Sequence, residues 1–147
     1  METLGYGTHL ILDGFNADVN SLEEGVITDF LKGLAELLEP GKSVTPEIRP
    51  VEDLPAGFSA ALLLPESHAT LHTFTEARVL SLQVFSRHGL ELTDLNKRLN
   101  RAFGVRRFES HISNHSKTMS KDPKRRACTL LGDRSYASLR LTEGLPF

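Results

Sequence analysis

Between Val79 and Phe85 the chain alternates strictly, with Leu80, Leu82 and Val84 on one side of an extended segment and Ser81 and Gln83 on the other. A period of two with one aliphatic side calls for a sheet that has a single covered face. The cover has to come from elsewhere in the chain. Leu22, Val26, Ile27, Phe30, Leu31, Leu34 and Leu38 recur at helical intervals until Pro40-Gly41 stops them, and Ser21 followed by Glu24 has capping-box spacing. A second amphipathic helix is predicted from about Thr93 to Phe103, with Leu95, Leu99, Ala102 and Phe103 on one side and Gly104 as its C′ residue.

The remaining segments read as strands and connections. Thr8 to Asp13 is a first strand closed by Gly14, Ala60 to Leu64 a short buried strand, and Ala69 to Phe74 and Val105 to Ser113 further extended runs. Pro46 and Pro50 limit Ser43 to Val51 to an edge strand or extended connector, because proline donates nothing to a ladder. Asn114 to Arg126 is expected as a solvated basic loop, and Ala127 to Leu131 with Ser135 to Leu141 as a hairpin around Gly132-Asp133. The order predicts an α+β fold of two layers, two helices on one face of a mainly antiparallel sheet, within a single domain over 1–147.

Composition narrows the function classes. Seventeen basic against 19 acidic side chains give a net charge of −2, so no global field draws the chain to nucleic acid or anionic lipid. The single cysteine, Cys128, excludes an internal disulfide and a cysteine-rich zinc module. No apolar run approaches the ~20 residues of a membrane span, and the N-terminus has no signal-like pattern. A reducing cytoplasm is the expected home.

The densest polar grouping inside an apolar stretch is Leu64-Pro65-Glu66-Ser67-His68-Ala69-Thr70-Leu71-His72-Thr73-Phe74-Thr75-Glu76. Four readings compete for it. A zinc pair of His68 and His72 would suit a helix, but four residues of strand span ~13 Å, too far for one ion. A serine hydrolase would need a G-x-S-x-G elbow, and Ser67 has bulky neighbours instead. An ordinary turn with satisfied polar side chains is the third. The fourth is self-cleavage: the Ser67 hydroxyl attacks the preceding carbonyl, the amide becomes an ester, and elimination leaves dehydroalanine. Hydrolysis then gives an N-terminal pyruvoyl group, a ketone that condenses with a substrate amine.

Glu66-Ser67-His68, then Leu71-His72-Thr73, an aromatic and Glu76 closely resemble the bacterial and archaeal S-adenosylmethionine decarboxylase family, whose cleavage motif has the form E-S-H-x-x-x-H-T-W-P-E. Gly7-Thr8-His9-Leu10 with Asp13 is similar to the family's N-terminal G-x-H-L strand, and Gly57-Phe58-Ser59 resembles its G-x-S before the strand leading to cleavage. The likeness runs from about residue 5 to residue 104. It implies that Ser67 becomes the covalent pyruvoyl group and Glu66 the new C-terminus, dividing the chain into 1–66 and 67–147. His72 would be the processing base and Ser59 a hydroxyl that steadies the tetrahedral intermediate. The resemblance also implies an αββα homodimer or dimer of dimers with active sites at subunit interfaces, and no metal.

Two departures bear on substrate. Arg87, in Phe85-Ser86-Arg87-His88-Gly89, stands where the family has a catalytic cysteine, and Asp53 stands where it has an adenine-stacking phenylalanine. Arginine is a poor proton donor, so His88 or Ser86 is the preferred replacement acid. An aspartate cannot stack an adenine but pairs with a cation, which points to L-arginine or L-ornithine, with S-adenosylmethionine as the alternative. Phe74 replaces the family tryptophan as a pocket wall; Glu76 and Asp13 remain candidates for substrate contacts. A reading of another class is a binding module that does not mature and uses the basic loop from Lys117 to Arg126.

Overall fold

The computed structural model of the chain describes residues 3–4, 7–115 and 119–120. Its elements are β1 (Thr3–Leu4), β2 (Gly7–Phe15), a 3-10 turn (Val19–Ser21), α1 (Glu24–Leu38), β3 (Glu47–Val51), β4 (Gly57–Leu63), β5 (His68–Phe74), β6 (Val79–Ser86), α2 (Leu92–Phe103), β7 (Arg107–His115) and β8 (Met119–Ser120). The backbone divides into two compact units, residues 7–114 and the two chain ends, 1–6 with 115–147. In the second unit β1 pairs with β8, Thr3 opposite Ser120. The buried cluster of described residues runs from Leu10 to Val105 and holds residues 7–114 together.

Within residues 7–114 the sheet has the order β3-β4-β5-β6-β2-β7. The pairs β3–β4, β4–β5, β5–β6 and β6–β2 are antiparallel. Alternation along each strand sends Leu10 and Leu12, Ala60 and Leu62, Ala69 and Leu71, and Leu80, Leu82 and Val84 into the core. From the helices Ile27, Phe30, Leu31, Leu34 and Leu38 meet them, with Leu95, Leu99 and Phe103. Phe30 and Phe103 join the two helices edge to face, centroids 5.2 Å apart at 64°. This is the predicted α+β layering. Among the described residues no helix is long and apolar enough to cross a membrane.

Two close details fix the frame. Gly104 ends α2 in the left-handed region, φ 70°, and its N–H donates to the Asn100 carbonyl at 2.8 Å, as its C′ placement predicts. At Gly57 a Cβ would lie 1.8 Å from the Thr73 carbonyl oxygen, so only glycine lets β4 start against the end of β5. The next N–H, of Phe58, donates to Thr73 Oγ1 at 2.9 Å.

Three expectations are corrected. The capping box at Ser21 does not form, because Asp18 captures this turn: its carboxylate accepts the Asn20 N–H and its carbonyl accepts the Ser21 hydroxyl. Helix α1 starts later, with Glu23 as N-cap and no side-chain cap. Ser59 lies inside β4 rather than before the strand, since pairing with β3 and β5 begins at the tightly packed Gly57–Phe58 step. The loop expected from Asn114 is interrupted: β7 reaches His115 and Met119–Ser120 form β8, because ladder bonds need no apolar period. Cys128, the cations of the basic loop and the hairpin after it lie outside the described residues.

Candidate active site

The turn between β4 and β5 carries the cleavage motif. Pro65 and Glu66 make the bend, and the Leu64 N–H closes it by donating to the Ser67 carbonyl at 2.8 Å. Ser67 is 2% exposed, and its Oγ has no hydrogen-bond partner among the described residues. A buried hydroxyl without a partner forfeits about 1–3 kcal/mol, so a serine here serves the fold poorly. It leaves the oxygen uncommitted on the residue that follows Glu66.

Glu66 is held from both sides. Its N–H donates to Glu39 Oε2 at 3.1 Å, and its own carboxylate meets His88 Nε2 at 2.6 Å and Arg87 Nη1 at 3.8 Å. The site thereby gathers Glu66, Ser67, Arg87 and His88, all four singled out from sequence. Ser86 is fully buried on the helix side and donates its hydroxyl to the Gly89 carbonyl. Glu39 is a residue that sequence reading missed. Its signal lay in spacing: Ala35 and Glu39 are four apart, so the acid falls on the buried stripe of α1.

The other predicted residues lie away from this turn, on the open face of the sheet or in the connections at the far end of β5. Ser59 and His72 are opposite each other in register, and Ser59 Oγ lies 3.0 Å from His72 Nδ1. The same row continues through Ser81 on β6 to Asp13 on β2. Phe74, half-buried, pairs with Val79 at the end of β5, and Glu76 is exposed in the turn that follows. Asp53 is exposed in the loop from β3 to β4, which opens at this same end because Val51 pairs with Gly57. His68 stacks on Phe85, centroids 5.4 Å apart, so the two histidines of β5 have different neighbours.

The candidates therefore form two groups at opposite ends of β5. His72 is four residues beyond His68, a run of about 13 Å in a strand, whereas a hydrogen bond needs about 3 Å. One chain does not bring His72 to its own Ser67.

A family model described as S-adenosylmethionine decarboxylase matches residues 8–116. The S-adenosylmethionine decarboxylase proenzyme of Clostridium botulinum strain Hall is 36% identical over 81 residues, 54% of this chain and 67% of the relative. That of strain Loch Maree is 33% identical over the same shares. Among solved structures, the adenosylmethionine decarboxylase of Aquifex aeolicus superposes with a TM-score of 0.58 at 14% identity, covering 80% of this chain and 95% of that one, a likeness of fold. The class these findings define is that of the pyruvoyl-dependent carboxy-lyases. Within it, the chain belongs to the S-adenosylmethionine decarboxylase family, whose members form their pyruvoyl group from a serine by autocleavage. Ser67 fits that group, being the serine of the motif with a buried and unpartnered oxygen.

Proposed function

We propose that this chain severs its own bond between Glu66 and Ser67 and, once matured, decarboxylates S-adenosylmethionine. The observation that carries the reading is the Ser67 hydroxyl, buried without a partner directly after a glutamate clamped from two sides. Ser67 Oγ attacks the Glu66 carbonyl carbon, the C–N bond breaks, and the nitrogen takes up the proton that the hydroxyl gives away. Loss of the Ser67 Cα proton to His72 then breaks the Cβ–Oγ bond and releases Glu66 as a carboxylate. Water completes the change with loss of ammonia. The pyruvoyl group supplies the electron sink for the pair left behind when carbon dioxide departs.

The length of β5 favours a division of the work between two copies. The Ser59–His72 pair that serves one Ser67 comes from a second copy, because the span of β5 separates the two groups within a chain. The open face supports this pairing, for Ile11, Val51 and Leu63 stand exposed on it at 37%, 39% and 75%. Two copies stacked face to face about a two-fold axis bring the Ser67 end of one sheet to the His72 end of the other, an αββα dimer. Ser59 then steadies the tetrahedral intermediate, and Asp13, Phe74 and Glu76 line the substrate space. Arg87 is a substrate contact, and His88 returns a proton to the substrate carbon, the task of the family's cysteine.

The names of the curated relatives favour S-adenosylmethionine over the basic amino acids that Asp53 suggests. The second reading, L-arginine or L-ornithine, keeps one specific observation: an exposed carboxylate at Asp53 in place of an aromatic ring. Carbon dioxide release from each of the three substrates, with Ser67→Ala as blank, tests both. Release from S-adenosylmethionine is expected. Release from arginine or ornithine alone favours the second reading, and none from any of the three by a cleaved protein overturns the decarboxylase.

A further inference from the structure

Glu39 is placed where a carboxylate serves the fold badly. It is 7% exposed, and it sits at the C-cap of α1, where the helix dipole disfavours negative charge and the last turn holds no basic residue. An apolar side chain would continue the buried stripe of Leu34, Ala35 and Leu38 at less cost. Its backbone is fixed on both sides: its N–H donates to the Ala35 carbonyl at 2.9 Å, and its carbonyl accepts the Lys42 N–H at 3.1 Å. What the side chain reaches from there is the N–H of Glu66, 27 residues away, at 3.1 Å.

We infer that Glu39 is a positioning residue for self-cleavage, holding the Glu66 N–H so that the Glu66 carbonyl is presented to the Ser67 hydroxyl. The inference rests on self-cleavage at this bond. With its nitrogen on Glu39 and its carboxylate on His88 and Arg87, Glu66 is restrained at two points. The carbonyl retains one rotation, about the Cα–C bond, and the Leu64–Ser67 hydrogen bond across the turn restricts that rotation as well. The attacked carbon is therefore oriented before the reaction begins, which is how enzymes reduce the entropic part of a barrier. A charged acceptor makes the stronger hold, and this accounts for an acid at a position that burial and the dipole both oppose.

The test follows cleavage after refolding from denaturant, with the melting temperature measured alongside, for wild type, Glu39→Leu, Glu39→Gln and Glu39→Asp. Glu39→Leu loses the acceptor and is expected to cleave roughly ten- to a hundredfold more slowly while melting at or above the wild-type temperature. Glu39→Gln keeps an acceptor oxygen at the same reach but loses the charge, and is expected to cleave at a rate between those of the wild type and Glu39→Leu. Glu39→Asp keeps the charge but falls short of the N–H, so it is expected to be slow and carries the test if the leucine variant does not fold. A cleaving wild type beside an equally fast Glu39→Leu or Glu39→Asp overturns this inference alone. A wild type that stays whole overturns the inference together with the reading it rests on.

Discussion

Ser59 Oγ lies 3.0 Å from His72 Nδ1, across directly opposed positions of β4 and β5. The contact ties one ring nitrogen to a hydroxyl, and in the proposed maturation the other takes up the Ser67 Cα proton. His72→Ala is accordingly expected to form the ester and to stall there, lacking the base that drives elimination. Hydroxylamine cuts such an ester at neutral pH but not the parent amide. Ester-free protein that matures at the wild-type rate would make His72 structural.

If each site is built from two copies, two inactive variants repair each other. Ser67→Ala cannot start the shift, and His72→Ala cannot finish it, yet a mixed dimer has one site with both groups intact. Co-expressing the two is expected to yield pyruvoyl-bearing fragment from the His72→Ala chain alone. A chain that supplied its own His72 would give none.

Asp53 is exposed and lies at the far end of the sheet from the scissile turn. Asp53→Asn is therefore expected to cleave at the wild-type rate. On S-adenosylmethionine its Michaelis constant should move little, since a neutral adenine at the substrate's far end makes no charge-assisted bond to a carboxylate. Loss of a charge-assisted hydrogen bond of ~1.5–3 kcal/mol would instead raise the constant for a basic amino acid about ten- to a hundredfold, which marks the second reading.

Gly57→Ala tests the frame rather than the chemistry. The added methyl would meet the Thr73 carbonyl, which is backbone and cannot swing aside, so β4 and β5 must separate locally. A cost of about 1–3 kcal/mol is expected, a fall in melting temperature on the order of 5–10 °C. Because the strained pair also carries Ser59 and His72, cleavage should slow with it. Unchanged melting would show that the strands adjust more freely than their register implies.

Much of the layering was legible in the sequence because alternation and helical period are local. Leu80, Leu82 and Val84 declare their face without reference to any partner, and the apolar residues from Leu22 to Leu38 declare theirs. Chemistry at the turn was legible because the motif is contiguous, from Glu66 to Glu76. What depends on distant residues was not. Asp18 takes over the turn in which Ser21 has capping-box spacing, and the spacing that puts Glu39 on the buried stripe of α1 says nothing of Glu66, 27 residues on, which it meets only in the fold. The strand length that parts His68 from His72 as metal ligands also parts Ser67 from His72. That separation was visible in the spacing, but the division of the site into two groups emerges only with the register of β4, β5 and β6.

The central claim is that the chain cuts itself before Ser67, and intact mass tests it most directly. Purified protein incubated at neutral pH is expected to lose the 16.3 kDa species and give two chains, residues 1–66 and 67–147. The second should carry a ketone in place of its N-terminal amine, while Ser67→Ala stays whole. A wild-type protein that remains a single 16.3 kDa chain after prolonged incubation would contradict the account.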